Sequence, residues 1–268
     1  MSTRGAAKVG KRIKLGLDRH GALLVPFTAV LVWSVGVGIT DRGPGTEPLP
    51  PFHEIEQVSV KKERFFEYLT PVIRAENERI RAQRARLLEI VAAYRDGDEP
   101  GWLDRRFLDD LAAEYRLDTE ELDLAQTLDR LVARVDVIPR SLVLVQAAKE
   151  SGWGSSRFAR RANNLFGQWC FEPGCGVVPR NRPEGRNHEV QSFDTVRDAV
   201  ASYVRNLNTH RSYAELREVR AKLRAEDAPL SGVRLATGLE RYSERGEVYV
   251  REVQSMIRQN ELEPTTGS

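Results

Sequence analysis

The sequence predicts a mainly α-helical protein with one small β-hairpin, preceded by a single N-terminal transmembrane helix. Three observations carry this reading. Apolar residues recur at helical spacing over most of the chain beyond Val58. Only the stretch from Gly176 to Phe193 reads as two short extended segments about a Pro-Gly turn, Arg182-Pro-Glu-Gly185. Residues 21–40 contain no charged side chain at all.

The elements follow in order. Arg4, Lys8, Lys11, Arg12, Lys14 and Arg19 precede the uncharged run. A helix of that length, at about 1.5 Å per residue, reaches about 30 Å, the apolar thickness of a bilayer. Basic residues stay on the cytoplasmic side, so residues 1–20 are expected as a cytoplasmic tail, 21–40 as an anchor, and the rest beyond the membrane. A retained anchor fits better than a cleaved signal peptide, because the apolar run is long and no Ala-x-Ala site follows it; cleavage, if it occurs, would fall near Val35-Gly-Val-Gly38. Residues 41–57 hold several Pro and Gly and read as a linker.

From Val58 to about Arg95 the pattern is helical, with Phe65, Phe66, Tyr68, Leu69, Val72, Ile73, Ile80, Leu87, Leu88, Ile90 and Val91 as the buried stripe and Pro71 as an expected break or kink. Its many Arg and Glu residues read as a solvated face. After the turn Asp96-Gly-Asp-Glu-Pro-Gly101, Trp102–Tyr115 and Glu120–Val135 read as two amphipathic helices, expected to pack around the helix that follows. That helix begins near Pro139 and is apolar on nearly every side through Leu142, Val143, Val145, Ala147 and Ala148, until Gly152 and Gly154 stop it. Beyond the hairpin, Thr195–Leu207, Tyr213–Glu226 and Gly246–Gln259 suit helices, with a short connection inside Leu230–Tyr242 and a disordered tail at 261–268. The region beyond the anchor divides into a helical part, 58–136, and a site-bearing part, 137–260.

Glu150 emerges at the C-terminal end of the buried helix. The negative end of the helix dipole and the apolar walls both disfavour its ionised form, so its pKa should be raised. A carboxyl still protonated near neutral pH can donate to a glycosidic oxygen. A lone helix-terminal Glu paired with Arg157 or Arg160 would be the ordinary structural alternative.

The surrounding residues decide between them. Ala147-Ala-Lys-Glu-Ser-Gly-Trp-Gly-Ser-Ser156, Asn163-Asn-Leu-Phe-Gly167, Phe193-Asp-Thr195 and Tyr203-Val-Arg-Asn-Leu207 occur in the order found in the glucosaminidase family of bacterial cell-wall hydrolases (glycoside hydrolase family 73), which this chain resembles over about residues 137–215. The resemblance implies a lysozyme-like cleft between a helical lobe and the hairpin, and a peptidoglycan hydrolase, an endo-β-N-acetylglucosaminidase, with Glu150 as the catalytic acid. Together with the anchor read from residues 1–40, this places the expected site in the periplasm, outside a bacterial inner membrane. A lytic transglycosylase and a non-catalytic peptidoglycan-binding module are the rival readings.

Family members often carry a second carboxylate on the first hairpin strand, but Gly176-Val-Val-Pro-Arg180 has none. Glu184 in the turn and Glu189 on the returning strand are the candidates, Glu189 preferred; alternatively the substrate's own acetamido group attacks the sugar carbon. Trp153, Trp169, Phe171 and Tyr213 offer apolar faces to a sugar ring, Tyr213 by its match to a family tyrosine, while Trp153 suits core packing equally well. Asn164 and Phe166 are further candidate substrate contacts, although Asn163 and Asn164 also suit turn-shaping bonds to the backbone.

Cys170 and Cys175, the only cysteines, read as a disulfide closing a short loop. His20, His53, His188 and His210 show no ligand spacing, so no metal is expected, and no phosphate-binding loop calls for a cofactor. Of 41 basic and 39 acidic residues, six and one lie in the tail, leaving 35 against 38. An acidic remainder argues against a nucleic-acid partner.

Overall fold

The computed structural model describes residues 43–263 except Asn181 and Pro183. The expected tail and anchor lie outside the described residues; among those described, no helix is long and apolar enough to cross a membrane.

Helix α1, Val58–Arg95, is the spine. At about 1.5 Å per residue it runs about 57 Å, and two cores lie along it. Phe65, Leu69, Val72, Ile73 and Ile80 enter the larger core, whereas Leu87, Ile90 and Val91 enter a second one with α2 (Trp102–Glu114) and α3 (Leu124–Arg134). Pro71 does not break the helix. It lies on the solvent face, where the carbonyl it leaves unpaired can turn to water, while Leu69, Val72 and Ile73 are held in the core on either side. Leu88 is exposed, unlike its expected partners in the stripe, and polar Asn77 is buried instead. Its amide donates to the Ile138 carbonyl at 2.9 Å and accepts from the Ile138 N–H at 3.3 Å, clamping the approach to α4.

The expectation that α2 and α3 surround the central helix is not met. They close the second core at the far end of α1, and α4 packs on α1, α8 and α9 instead. Leu108 and Leu111 of α2 and Leu128 and Leu131 of α3 are spent on Leu87 and its neighbours in that second core.

Helix α4, Arg140–Ser151, is buried continuously from Ser141 to Ala148. Gly152 ends it in the left-handed region at φ 58°. Gly154 then passes so close to Phe52 that a Cβ there would meet the ring at 2.6 Å. Phe52 belongs to the supposed linker, whose residues from 43 onward pack against the domain: Phe52 is buried in the larger core and the Gly45 carbonyl accepts from the Arg197 N–H.

After α5 (Arg157–Ala162), capped by the Ser156 hydroxyl, comes a sheet of three strands rather than a simple hairpin. The strands β1 (Trp169–Cys170), β2 (Gly176–Val177) and β3 (Glu189–Gln191) lie in the order β1-β3-β2, both pairs antiparallel. Val190 of β3 faces Trp169 on one side and Val177 on the other. Two-residue strands carry too little periodicity to announce themselves, which is why β1 escaped the sequence reading.

The remaining helices are α6 (Val196–Thr209), α7 (Ala214–Ala225), α8 (Gly232–Leu235) and α9 (Glu247–Gln259), with a 3-10 segment at Ala236–Tyr242 before α9. Buried Arg220 on α7 ties them to the segment before α4, donating to the carbonyls of Ala133, Asp136 and Val137 and to Asn208. The start of the tail is docked. Glu263 accepts from Ser141, Ser231 and the Val233 N–H at 2.8–3.1 Å, while 264–268 lie outside the described residues.

Candidate functional site

Glu150 is the penultimate residue of α4, one turn beyond Gln146 on the same helix face. It opens into a cleft of about 280 Å³ lined by Lys149, Glu150, Tyr242, Ser243, Arg245 and Tyr249. The side chain stays accessible to solvent, as a group that must meet a substrate has to. The chain crowded around its carboxyl nevertheless removes enough water to raise its pKa; the hydrogen bond from Tyr249 and the Lys149 ammonium pull the other way without cancelling that effect.

Behind the carboxyl lies a buried polar chain. The Tyr203 hydroxyl donates to Gln146 Oε1, Gln146 Nε2 donates to the Tyr249 hydroxyl at 3.0 Å, and Tyr249 donates to Glu150 Oε1 at 2.8 Å. Because Gln146 spends its N–H on the Tyr249 oxygen, the Tyr249 proton is aimed at Glu150. Tyr249 stacks on Tyr242 at 5.3 Å, and Tyr242 anchors to the Phe166 carbonyl at 3.2 Å. Burial holds the hydroxyls of Tyr242 and Tyr249 neutral, with pKa values far above the ordinary range. On the open side Lys149 and Arg245 both grip Glu252, whose carboxyl is pulled down to about 2, first by the Arg245 bond and then by that of Lys149. Glu252 is therefore a fixed anion, and Glu150 is the lining carboxyl whose pKa its surroundings raise above the ordinary range.

The other expected site residues are placed as follows. Glu189 does not face that cleft: Oε1 accepts from the Gly174 N–H at 3.1 Å and Oε2 from the Gly176 N–H at 2.9 Å. Those two bonds hold its carboxyl below its ordinary pKa and make it the brace of the loop closed by the Cys170–Cys175 disulfide. Glu184 is exposed in the turn. Trp153 packs edge-on against Phe65 and Phe66, at 6.0 and 5.2 Å, with Lys62 over its ring, and so belongs to the packing that fixes the end of α4.

Asn164 is buried and fully engaged. Its amide donates to the carbonyls of Gln168 and Gln191, and its oxygen accepts from the N–H groups of Phe166 and Gln168, so it joins the turn to β3 and has no free polar atom for a substrate. Phe166 is stacked face to face on Tyr203 at 3.9 Å and is likewise out of reach. Asn163, in the left-handed region, donates to the carbonyls of Phe193 and Asp194. Tyr213 sits one layer behind the cleft, 6.0 Å from Tyr242, its pKa pushed up to about 12 by burial. Trp169 and Phe171, 58% and 62% exposed, remain open platforms, Trp169 stiffened by stacking on His188 at 4.4 Å.

Sequence reasoning missed Tyr242, Arg245, Tyr249 and Glu252. One signal was available: Gln146, a polar residue inside an otherwise apolar helix and one turn before Glu150, required a buried partner.

The model of the glucosaminidase family, described as mannosyl-glycoprotein endo-beta-N-acetylglucosaminidase, matches residues 125–262. The chain is 32% identical over 213 residues to protein bax of Escherichia coli (strain K12), covering 80% of this chain and 74% of that protein. No solved structure matches. The match supports a glycosidase-type domain and spans the whole cleft around Glu150.

Proposed function

The chain belongs to the glucosaminidase family, and from that membership and the surroundings of Glu150 we propose that it is a peptidoglycan hydrolase cleaving the β-1,4 bond after N-acetylglucosamine. The observation that carries the proposal is the single accessible carboxyl of raised pKa with a tyrosine hydroxyl aimed at it. Glu150 gives its proton to the glycosidic oxygen as the bond from that oxygen to the sugar carbon breaks. Tyr249 already donates to the carboxyl and strengthens that bond as negative charge develops on it, which favours the transition state over the bound substrate.

No second free carboxylate lines the cleft among the described residues, because Glu252 is held by two cations and Glu189 by two backbone N–H groups. This favours a one-acid mechanism, in which the substrate's acetamido oxygen closes on the sugar carbon and water then opens the ring. Trp169 and Phe171 serve as the sugar platform, and the disulfide with Glu189 keeps their loop in place. The domain works in the periplasm of a bacterium, held to the inner membrane through residues 21–40.

A one-acid cleft suits a lytic transglycosylase as well, with an internal hydroxyl of the muramic residue as nucleophile. The test incubates the purified full-length chain, beside a Glu150→Gln copy, with purified peptidoglycan, and reads the released ends by borohydride reduction and mass spectrometry. Reducible N-acetylglucosamine ends made only by the unaltered protein are expected. Anhydro-muramic ends would move the protein to the transglycosylases. Equal release by both proteins would remove Glu150 from the mechanism, and no release by either would favour a binding module.

A further inference from the structure

A second groove, of about 510 Å³, lies between α5 and the segment after β2 and is lined by Arg157, Phe158, Arg160, Arg161, Pro179 and Arg180. We infer that it binds the carboxylates of the peptide side chains carried by the glycan that Glu150 cleaves; the identity of the ligand, though not the groove's taste for anions, rests on the function proposed above.

Four guanidinium groups share this groove without a carboxylate in its lining. Among the described residues none of the four forms an ion pair, so no carboxylate of this chain answers their shared charge, as Asp136 answers Arg84, Arg220 and Arg224. The chain beyond its tail carries more acidic than basic residues, so the cluster is not an overflow of general positive charge. Like charges brought together repel unless an anion joins them. Arg157 is also fixed in advance: its Nη2 donates to the Val178 carbonyl at 2.8 Å and its guanidinium lies 4.8 Å from the Phe158 ring, leaving its other donors to face a ligand.

Guanidinium forks match carboxylates and phosphates alike. The volume and the apolar walls of Phe158 and Pro179 suit a short acidic peptide better than a bare phosphate group. Position agrees, since Arg157 is seven residues along the chain from Glu150, a reach of at most about 25 Å. Glycan seated on the acid can therefore lay its peptide in the groove.

The test uses the full chain carrying Glu150→Gln, so that binding is read without cleavage, beside copies that add Arg160→Ala and Arg180→Ala, or Lys at both positions. Binding is measured to intact peptidoglycan, to glycan stripped of its peptides, and to vesicles of anionic phospholipid, across a salt series. At least about tenfold tighter binding to the intact polymer is expected, lost in the Ala copy, partly kept in the Lys copy, and weakened by salt. With Glu150 restored, turnover of stripped glycan is unchanged by the arginine substitutions. Equal binding to intact and stripped polymer, or an effect of the arginine substitutions on vesicle retention alone, overturns the inference; vesicle retention that the substitutions leave unchanged belongs to the expected anchor. An arginine-dependent preference for intact polymer in a protein that cleaves no glycan would sink the proposed hydrolase and leave the groove standing.

Discussion

Replacing Tyr249 by Phe removes one hydroxyl and nothing else from the wall beside Glu150. The bond it deletes, 2.8 Å to Glu150 Oε1, is made to a neutral carboxyl before proton transfer and to a carboxylate after it. Hydrogen bonds to charged groups are worth about 1.5–3 kcal/mol against about 0.5–1.5 kcal/mol for neutral pairs, so the transition state gains the difference between corresponding ends of these ranges, about 1–1.5 kcal/mol. At about 1.36 kcal/mol per tenfold, kcat should fall about five- to thirteenfold with KM little changed.

The pH profile supplies a sign as well as a size. Activity needs the protonated acid and is lost as pH rises through the pKa of Glu150, which the Tyr249 bond lowers. Tyr249→Phe should therefore carry the alkaline limb of the profile to higher pH while the plateau drops. The substitution also leaves the buried Gln146 amide without its acceptor, at a cost of about 1–3 kcal/mol in stability, so thermal unfolding is followed separately and rates are taken well below the transition. An unchanged plateau with an unmoved alkaline limb would refute the role given to Tyr249.

Leu131→Ala empties a fully buried position in the second core, which should cost about 2–5 kcal/mol in denaturant unfolding. Because that core does not touch α4, the kcat of the folded protein should stay as it was, and a change in it would contradict the separation of the two cores. Asp136 is buried; desolvation alone would raise its carboxyl, but the Arg224 bond and the charges of Arg220 and Arg84 outweigh it and hold the pKa below its ordinary value. Asp136→Asn leaves buried Arg220 without its counter-ion and should cost about 3–5 kcal/mol at neutral pH. The depressed pKa means that the contribution of Asp136 is present above the unfolded carboxylate range and lost as pH falls through the folded value. The stability gap between the two proteins should thus narrow in acid, and a gap independent of pH would exclude this ion pair as its cause.

The sequence by itself determined the end of one helix. A run buried on every side, stopped by two glycines, forces the residue just before them to emerge, and that residue is Glu150. It also announced the disulfide loop beside Trp169 and Phe171, and the long apolar stripe of α1, because the spacing of residues along one segment is a property of that segment alone. Tertiary structure decided what stands opposite. Tyr249 lies 99 residues from the carboxyl it touches, and nothing in its own helix distinguishes it from a core tyrosine. Glu189 was the preferred second carboxylate, and the fold instead curls the disulfide loop so that the N–H groups of Gly174 and Gly176 meet its oxygens, a closure that spacing does not record. Asn164 and Phe166 likewise read as substrate contacts in a motif and became turn and core once folded. A pattern of burial states which face of an element turns inward; only packing states which distant polar group meets it there, and that meeting sets both the pKa and the task.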